Sequence, residues 1–374
     1  MHDLEFNTDG IAMFATRQRN LQKVWWRGQT FFSEDLVLPD NATTEDLIVA
    51  AGFRDHKILQ SDLIADYGGE IQRLIGLGDS LQKKDARYLR ALVKKVQAAS
   101  ELVEMARLVY RENDRKHLSV MGKDYCPVQF MEVYAVLDAL VESGEITLET
   151  LGSLRDGKGS FMAAKLTGAP LEIVPSDVAE RYLVASDSYD GTSALMFLAT
   201  LILTVCRNTE AAGIREANRT GRISKQKHTK GIKTRLADAR KALGIATEQF
   251  KAYETLGKAL ARIKMSADEV EAFHSKLVFG DKPIPADVDN WSGQQRRAVG
   301  ELGFMMTDGP GQEIEGRKGT AWGALNSVTA WTNHVKRHKS STEVDRTNFV
   351  LFGNGAELNA DARRLLVSQY QLAA

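Results

Sequence analysis

Between Arg207 and Lys241 the chain carries eleven cations: Arg207, Arg215, Arg219, Arg222, Lys225, Lys227, Lys230, Lys233, Arg235, Arg240 and Lys241. Only Glu210, Glu216 and Asp238 oppose them, in a protein whose 49 Lys and Arg are balanced overall by 49 Asp and Glu. Cations spaced along a phosphate backbone displace condensed counterions, so a run of this kind supports sequence-independent nucleic-acid binding. From Arg219 to Lys233 the large apolar residues are Ile223 and Ile232, which predicts an exposed loop. The first eight, Arg207 to Lys233, are the candidate phosphate contacts. The competing reading is a solvated loop that pairs with acidic faces elsewhere, and salt dependence separates the two.

Other residues could do different chemistry. Asp187 and Asp190 flank a turn at Ser188-Tyr189-Asp190-Gly191. Paired carboxylates can hold a divalent cation or act as acid and base, as a nuclease requires, but Asp before Gly is also what a tight turn selects. His334 and His338 have the i,i+4 spacing of shared metal ligands, yet Lys336, Arg337 and Lys339 would repel a cation, so a basic surface cluster is the stronger reading. Trp25, Trp26, Tyr189 and Trp322 are candidate stacking rings, with burial in the core as the alternative. There is no G-x-x-x-x-G-K-[ST], H-E-x-x-H or C-x-x-C pattern. The expectation is a protein with no cofactor, no metal and no enzymatic step.

Two cysteines, Cys126 and Cys206, cannot make a disulfide framework and read as buried, reduced thiols. The first residues, Met1-His2-Asp3-Leu4-Glu5, lack the basic-then-apolar pattern of an export signal. The longest apolar run, Ala194 to Cys206, spans about 13 residues, short of the roughly 20 needed to cross a bilayer. A cytoplasmic protein with no membrane partner is expected. Its 43% hydrophobic and 26% charged residues are those of a folded chain and argue against wholesale disorder.

The elements that must hold these residues follow from pattern. Spacings of three and four from Leu89 to Val109 predict a long helix over 81–113, basic in its first half at Lys83, Lys84, Arg87, Arg90, Lys94 and Lys95. Ser119 to Val128 reads as a strand and Phe130 to Val141 as a helix. Ile146–Leu154 and Ser160–Leu166 read as hairpin arms around Asp156-Gly157. Arg181–Ala185 and Ala194–Cys206 make a second pair. Helices are then expected over 234–250, 256–263, from Ser266, and from Thr320, with a flexible glycine-rich loop over 309–316. The fold class is α+β: an antiparallel sheet packed with helices, a helical insertion before it and a helical C-terminal part. Candidate boundaries are 1–60, 61–117, 118–357 and a tail at 358–374.

Several short motifs stand in a telling order. Tyr125-Cys126-Pro127-Val128-Gln129, Leu151-Gly152-Ser153-Leu154, Ser188-Tyr189-Asp190-Gly191-Thr192 and Val205-Cys206-Arg207-Asn208-Thr209 are followed by His228-Thr229-Lys230, Ala239-Arg240-Lys241-Ala242-Leu243-Gly244 and Gly319-Thr320-Ala321-Trp322-Gly323. In this order the chain resembles, over most of 20–357, a phage/plasmid-like family of conserved proteins with no established activity. Trp26-Arg27-Gly28 departs from the Trp-His-Gly of that family. The order strand, helix, antiparallel sheet, helix is also similar to that of ring-forming single-strand annealing proteins of the RecT, Erf and Rad type. That likeness implies single-stranded DNA binding and strand annealing by a homo-oligomer, of which a ring is one form, in mobile-element recombination. The alternatives are a metal-dependent nuclease using Asp187 and Asp190, or a protein–protein module acting on a host factor.

Overall fold

The computed structural model describes residues 14–17, 37–38, 44–52, 57–65, 101–129, 137–138, 140–155, 157–192, 195–203, 209–211, 224–226, 239–337 and 349–372. Its architecture is α+β, with two sheets that are antiparallel except where the first two strands pair parallel, and a helical C-terminal part.

The central hairpins form where turn chemistry places them. β6 (Ile146–Leu154) and β7 (Gly159–Leu166) pair antiparallel around a turn in which Gly157 takes φ 80°. β9 (Asp177–Ser188) pairs with β7, with β8 (Leu171–Val174) and with β10 (Leu195–Leu203). Together with β1 (Phe14–Arg17), β2 (Val37–Leu38), β11 (Thr209–Ala211) and β12 (Ser224–Gln226) they make a nine-stranded sheet in the order β11-β10-β9-β7-β6-β1-β2, β12 also pairing with β10. Side chains alternate between its faces. Met162, Ala164, Leu183, Ala185 and Phe197 join the main core on one face, while Phe161, Ala163, Tyr182, Val184 and Leu198 form a second cluster on the other. Both faces are covered, so these strands read as nearly continuous apolar runs.

A smaller sheet, β3-β4-β5, combines β3 (Ile58–Ala65), β4 (Glu101–Arg111) and β5 (His117–Gly122), and α1 (Thr44–Ala50) precedes it. The helix expected over 81–113 is therefore wrong for its second half, which is a strand paired on both sides. Its basic first half, including Lys83 to Lys95, lies outside the described residues. The strand expected over 119–128 ends at Gly122. Leu137, Leu140 and Val141 are helical, as the pattern over 130–141 predicts.

The C-terminal part packs α2 (Ala239–Arg262), α3 (Ala267–Phe279), α4 (Gly293–Thr307), α5 (Ala321–Ala330) and α6 (Asn354–Gln369). α2 is one helix where two were expected. α3 starts at the Ser266 N-cap with a reciprocal Glu269 bond, as its sequence foretells. α4 was not foreseen, and the expected tail at 358–374 lies largely within α6. The glycine-rich loop is packed rather than flexible. Gly309, Gly311, Gln312 and Arg317 are buried, and a Cβ at Gly309 would sit 2.2 Å from the Met305 carbonyl oxygen. α5 runs into a π-helical turn over Trp331–Val335, closed by the Lys336 amide on the Trp331 carbonyl.

One buried constellation ties the helices to the sheet. The Arg317 guanidinium pairs with Asp177 at the start of β9, both fully buried, and the Trp322 indole donates to the same carboxylate at 2.7 Å. Trp322 also meets Tyr253 of α2 edge to face, with ring centroids 5.7 Å apart. The Gly319-Thr320-Ala321-Trp322-Gly323 motif is thus structural, and Trp322 is core.

Candidate functional site

Of the eight candidate phosphate contacts, Lys225 lies in a described segment. Arg207, Arg215, Arg219, Arg222, Lys227, Lys230 and Lys233 lie outside the described residues. Lys225 is the middle residue of β12 and stands in register with Met196 of β10. The segment expected as a loop over 219–233 therefore contains a short strand. β11, which opens the basic run, pairs with the other half of β10, Thr200 to Ile202. The run is thus stitched at two places to one edge of the large sheet. Such short strands carry little intrinsic propensity, and pairing with β10 is what makes them strands.

A polar cluster sits where the two sheets meet, and several of the sequence motifs converge on it. At the β9–β10 turn, Asp190 accepts from the Thr192 amide at 3.0 Å and from its hydroxyl, and Gly191 takes φ 73°. The Arg155 guanidinium, from the β6–β7 turn, reaches the same carboxylate through Nε at 3.1 Å and its terminal nitrogen at 3.4 Å. Burial pushes the Asp190 carboxyl up, but the Thr192 bonds and the Arg155 charge outweigh it, so it ionises below its usual range. Gly159 makes room for this pair: a Cβ there would lie 2.8 Å from an Arg155 nitrogen and 2.9 Å from the Asp187 carbonyl oxygen.

The segment 117–129 docks against this turn. Ser119 Oγ donates to the Tyr189 carbonyl, and Tyr189 Oη donates to the Val128 carbonyl at 2.8 Å. The Gln129 side-chain amide donates to the Ile58 carbonyl and accepts from its N–H, at 2.9 and 2.8 Å, in place of a neighbouring strand. Tyr189 is fully buried and serves packing. Tyr125 is mostly buried beside Asp187 and Asp190. Burial, then those two negative charges, raises its phenol well above the ordinary range. Cys126 is a half-buried free thiol, and Cys206 lies outside the described residues.

This cluster supplies little open chemistry. Asp187 is 1% exposed, within a buried row with its cross-strand neighbour Ser160, and Asp190 is engaged by Arg155 and Thr192. Asp190 follows turn chemistry, which was one of the two readings of its sequence. Among the described residues no group of three or more His, Cys, Asp and Glu could hold a metal ion. His334 is exposed on the π-helical turn, and His338 lies outside the described residues, as do Trp25 and Trp26. Sequence reasoning missed the Arg155–Asp190 and Arg317–Asp177 pairs. Arg155 carried a faint signal, its place beside the Asp-Gly turn; Arg317, 140 residues from Asp177, carried none.

Among the described residues no helix is long and apolar enough to cross a membrane. In its described parts the chain is an α+β body in which β11 and β12 both pair with β10 and the polar cluster at the β9–β10 turn is closed. A family model described as "Domain of unknown function (DUF932)" matches residues 117–351, and the chain belongs to that family. No curated protein and no solved structure matches the chain.

Proposed function

We propose that the protein binds single-stranded DNA along the β10–β12 edge and, as a homo-oligomer, promotes annealing of complementary strands during mobile-element recombination. The observation supporting this most is the attachment of the basic run to β10 at both β11 and β12. Both strands belong to the stretch of sequence with a strong local excess of cations in a chain with zero net charge, and Lys225 is the candidate contact that lies in one of them. Neutralising phosphates lowers the repulsion between strands, and several copies side by side hold extended bases for pairing. No covalent step is involved. The similarity to ring-forming annealing proteins stays an analogy of element order and supports the reading only in that sense.

The nuclease alternative is disfavoured by the engagement of Asp190 with Arg155 and the burial of Asp187. Gel-shift titrations with single- and double-stranded DNA at two salt concentrations test the proposal. Tighter binding to single strands, weakening steeply with salt, is the expected result. Binding to neither form overturns it in favour of a protein–protein module.

A further inference from the structure

The buried side of α4 is well explained: Leu302 and Met305 pack inward against α3 and α5. The outer side is not. At 100° per residue, Gly293, Arg296, Arg297, Gly300, Phe304 and Thr307 share one exposed face, flanked by half-buried Gly303. Phe304 is 57% exposed, and with Ile284 and Val288 it supplies three of the five large apolar side chains exposed among the described residues. A Cβ at Gly293, Gly300 or Gly303 would meet nothing within 4 Å among those residues. Glycine inside a helix is destabilising relative to alanine, and here no described neighbour requires it. A glycine on a helix face lets another backbone approach closely.

We propose that this α4 face is the contact through which two copies of the chain associate, their α4 helices crossing antiparallel at Gly300. The face is complementary to itself about that point. Arg296 and Arg297 precede Gly300 by about 4.5–6 Å along the axis, and Phe304 follows it by about 6 Å. A two-fold crossing therefore sets the guanidinium of Arg297 in one copy over the Phe304 ring of the other, a cation–π arrangement, twice. Asp308, just beyond the end of α4, reaches the positive first turn at Gly293 of the other copy. Arg297 makes no hydrogen bond or ion pair among the described residues, and Arg296 makes only long contacts, 3.4 Å to the Val288 and Asp289 carbonyls and 3.9 Å to the Asp289 carboxylate. Both are available. Gly300 and Gly303 let the helices approach closely enough for these contacts to form together.

This deepens the self-association in the reading above and rests on it only there, since the contact requires no DNA. One crossed helix pair falls below the area of a standard stable interface, so association is weak in free protein and gains strength when copies are held side by side on one strand.

Sedimentation velocity on the full chain without DNA, from about 1 to about 100 µM, reads the contact directly. Wild type should show mass rising with concentration. Gly300→Leu and Phe304→Asp should each weaken association at least tenfold with unchanged circular dichroism and melting, because both positions face open space. Val120→Asp, at an exposed apolar residue of β5, should leave association as in wild type. A wild type that stays monomeric throughout overturns the proposal. So does a folded Gly300→Leu or Phe304→Asp variant that associates as wild type does. Loss of DNA binding in the gel-shift titrations, with association intact, would overturn the annealing reading and leave this contact standing.

Discussion

Arg155 and Asp190 join two hairpin turns 35 residues apart in sequence, the guanidinium meeting the carboxylate through two hydrogen bonds beside the buried Asp187 strand end. Replacing Asp190 with Asn removes the negative charge that faces the partly buried Arg155 guanidinium. Loss of such a charge-assisted bond costs about 1.5–3 kcal/mol, so the variant should melt several degrees below wild type. Because folding lowers the Asp190 pKa, its contribution is full above the ordinary carboxylate range and is lost as pH falls through the folded value. The melting difference between wild type and Asp190→Asn should therefore shrink in acid. A constant difference from neutral pH into strong acid would refute that role.

His274 is a second pH-dependent element. Its Nε2 lies 2.9 Å from Ser327 Oγ in the packed helices, and burial lowers its pKa from 6.5 to about 4. Between these values the unfolded chain binds the proton and the folded one does not, so stability falls as pH drops through that window. The span corresponds to a loss of about 3 kcal/mol, complete near the folded value. His274→Gln should flatten the pH dependence of the urea midpoint between 6.5 and 4. Equal slopes in the two proteins would count against it.

The Asp177–Arg317 pair should respond asymmetrically. Arg317→Met alone leaves the buried Asp177 carboxylate without its guanidinium partner while the Trp322 indole still donates to it, and breaking a buried pair in this way costs about 3–5 kcal/mol. Removing both charges, with Asp177→Leu added, should recover most of that loss. A double variant no more stable than the single one would show that the constellation is held by geometry other than charge.

If Arg219, Arg222, Lys225, Lys227, Lys230 and Lys233 lie on phosphates, the log–log salt slope for a single strand is about −4, at roughly −0.7 per contact. Changing Arg222, Lys225 and Lys227 together to Ala should flatten it by about 2 and weaken binding alike for all sequences. The β12 pairing uses the backbone of Lys225, so the edge survives the change. A folded triple variant with unchanged affinity and slope would mean that the run is solvated rather than bound.

The sequence announced what local chemistry decides. Asp156-Gly157 and Asp190-Gly191 mark turns because glycine takes positive φ there, and Ser266 with Glu269 opens α3 by satisfying its first amides. It misled where two periods fit one segment. Leu102, Ala106 and Val109 suit a helix, yet Glu101–Arg111 is held as a strand by β3 and β5, and the β3 partner lies far off in sequence. α4 escaped because Gly300 and Gly303 argue against a helix, whereas burial of Leu302 and Met305 outweighs them. β11 and β12 exist through their pairing with β10, which no local pattern encodes.

The 140-residue separation of Asp177 and Arg317 has a consequence during synthesis. At roughly 5–20 residues per second, the carboxylate leaves the ribosome on the order of ten seconds before its guanidinium. Through that interval Asp177 has neither the guanidinium nor the indole that meet it in the folded chain, and burying it alone would carry a penalty. That corner of the sheet is therefore completed only when the C-terminal helices arrive. Any product terminated before Arg317 would keep that corner open permanently and be a ready client for chaperones and proteases.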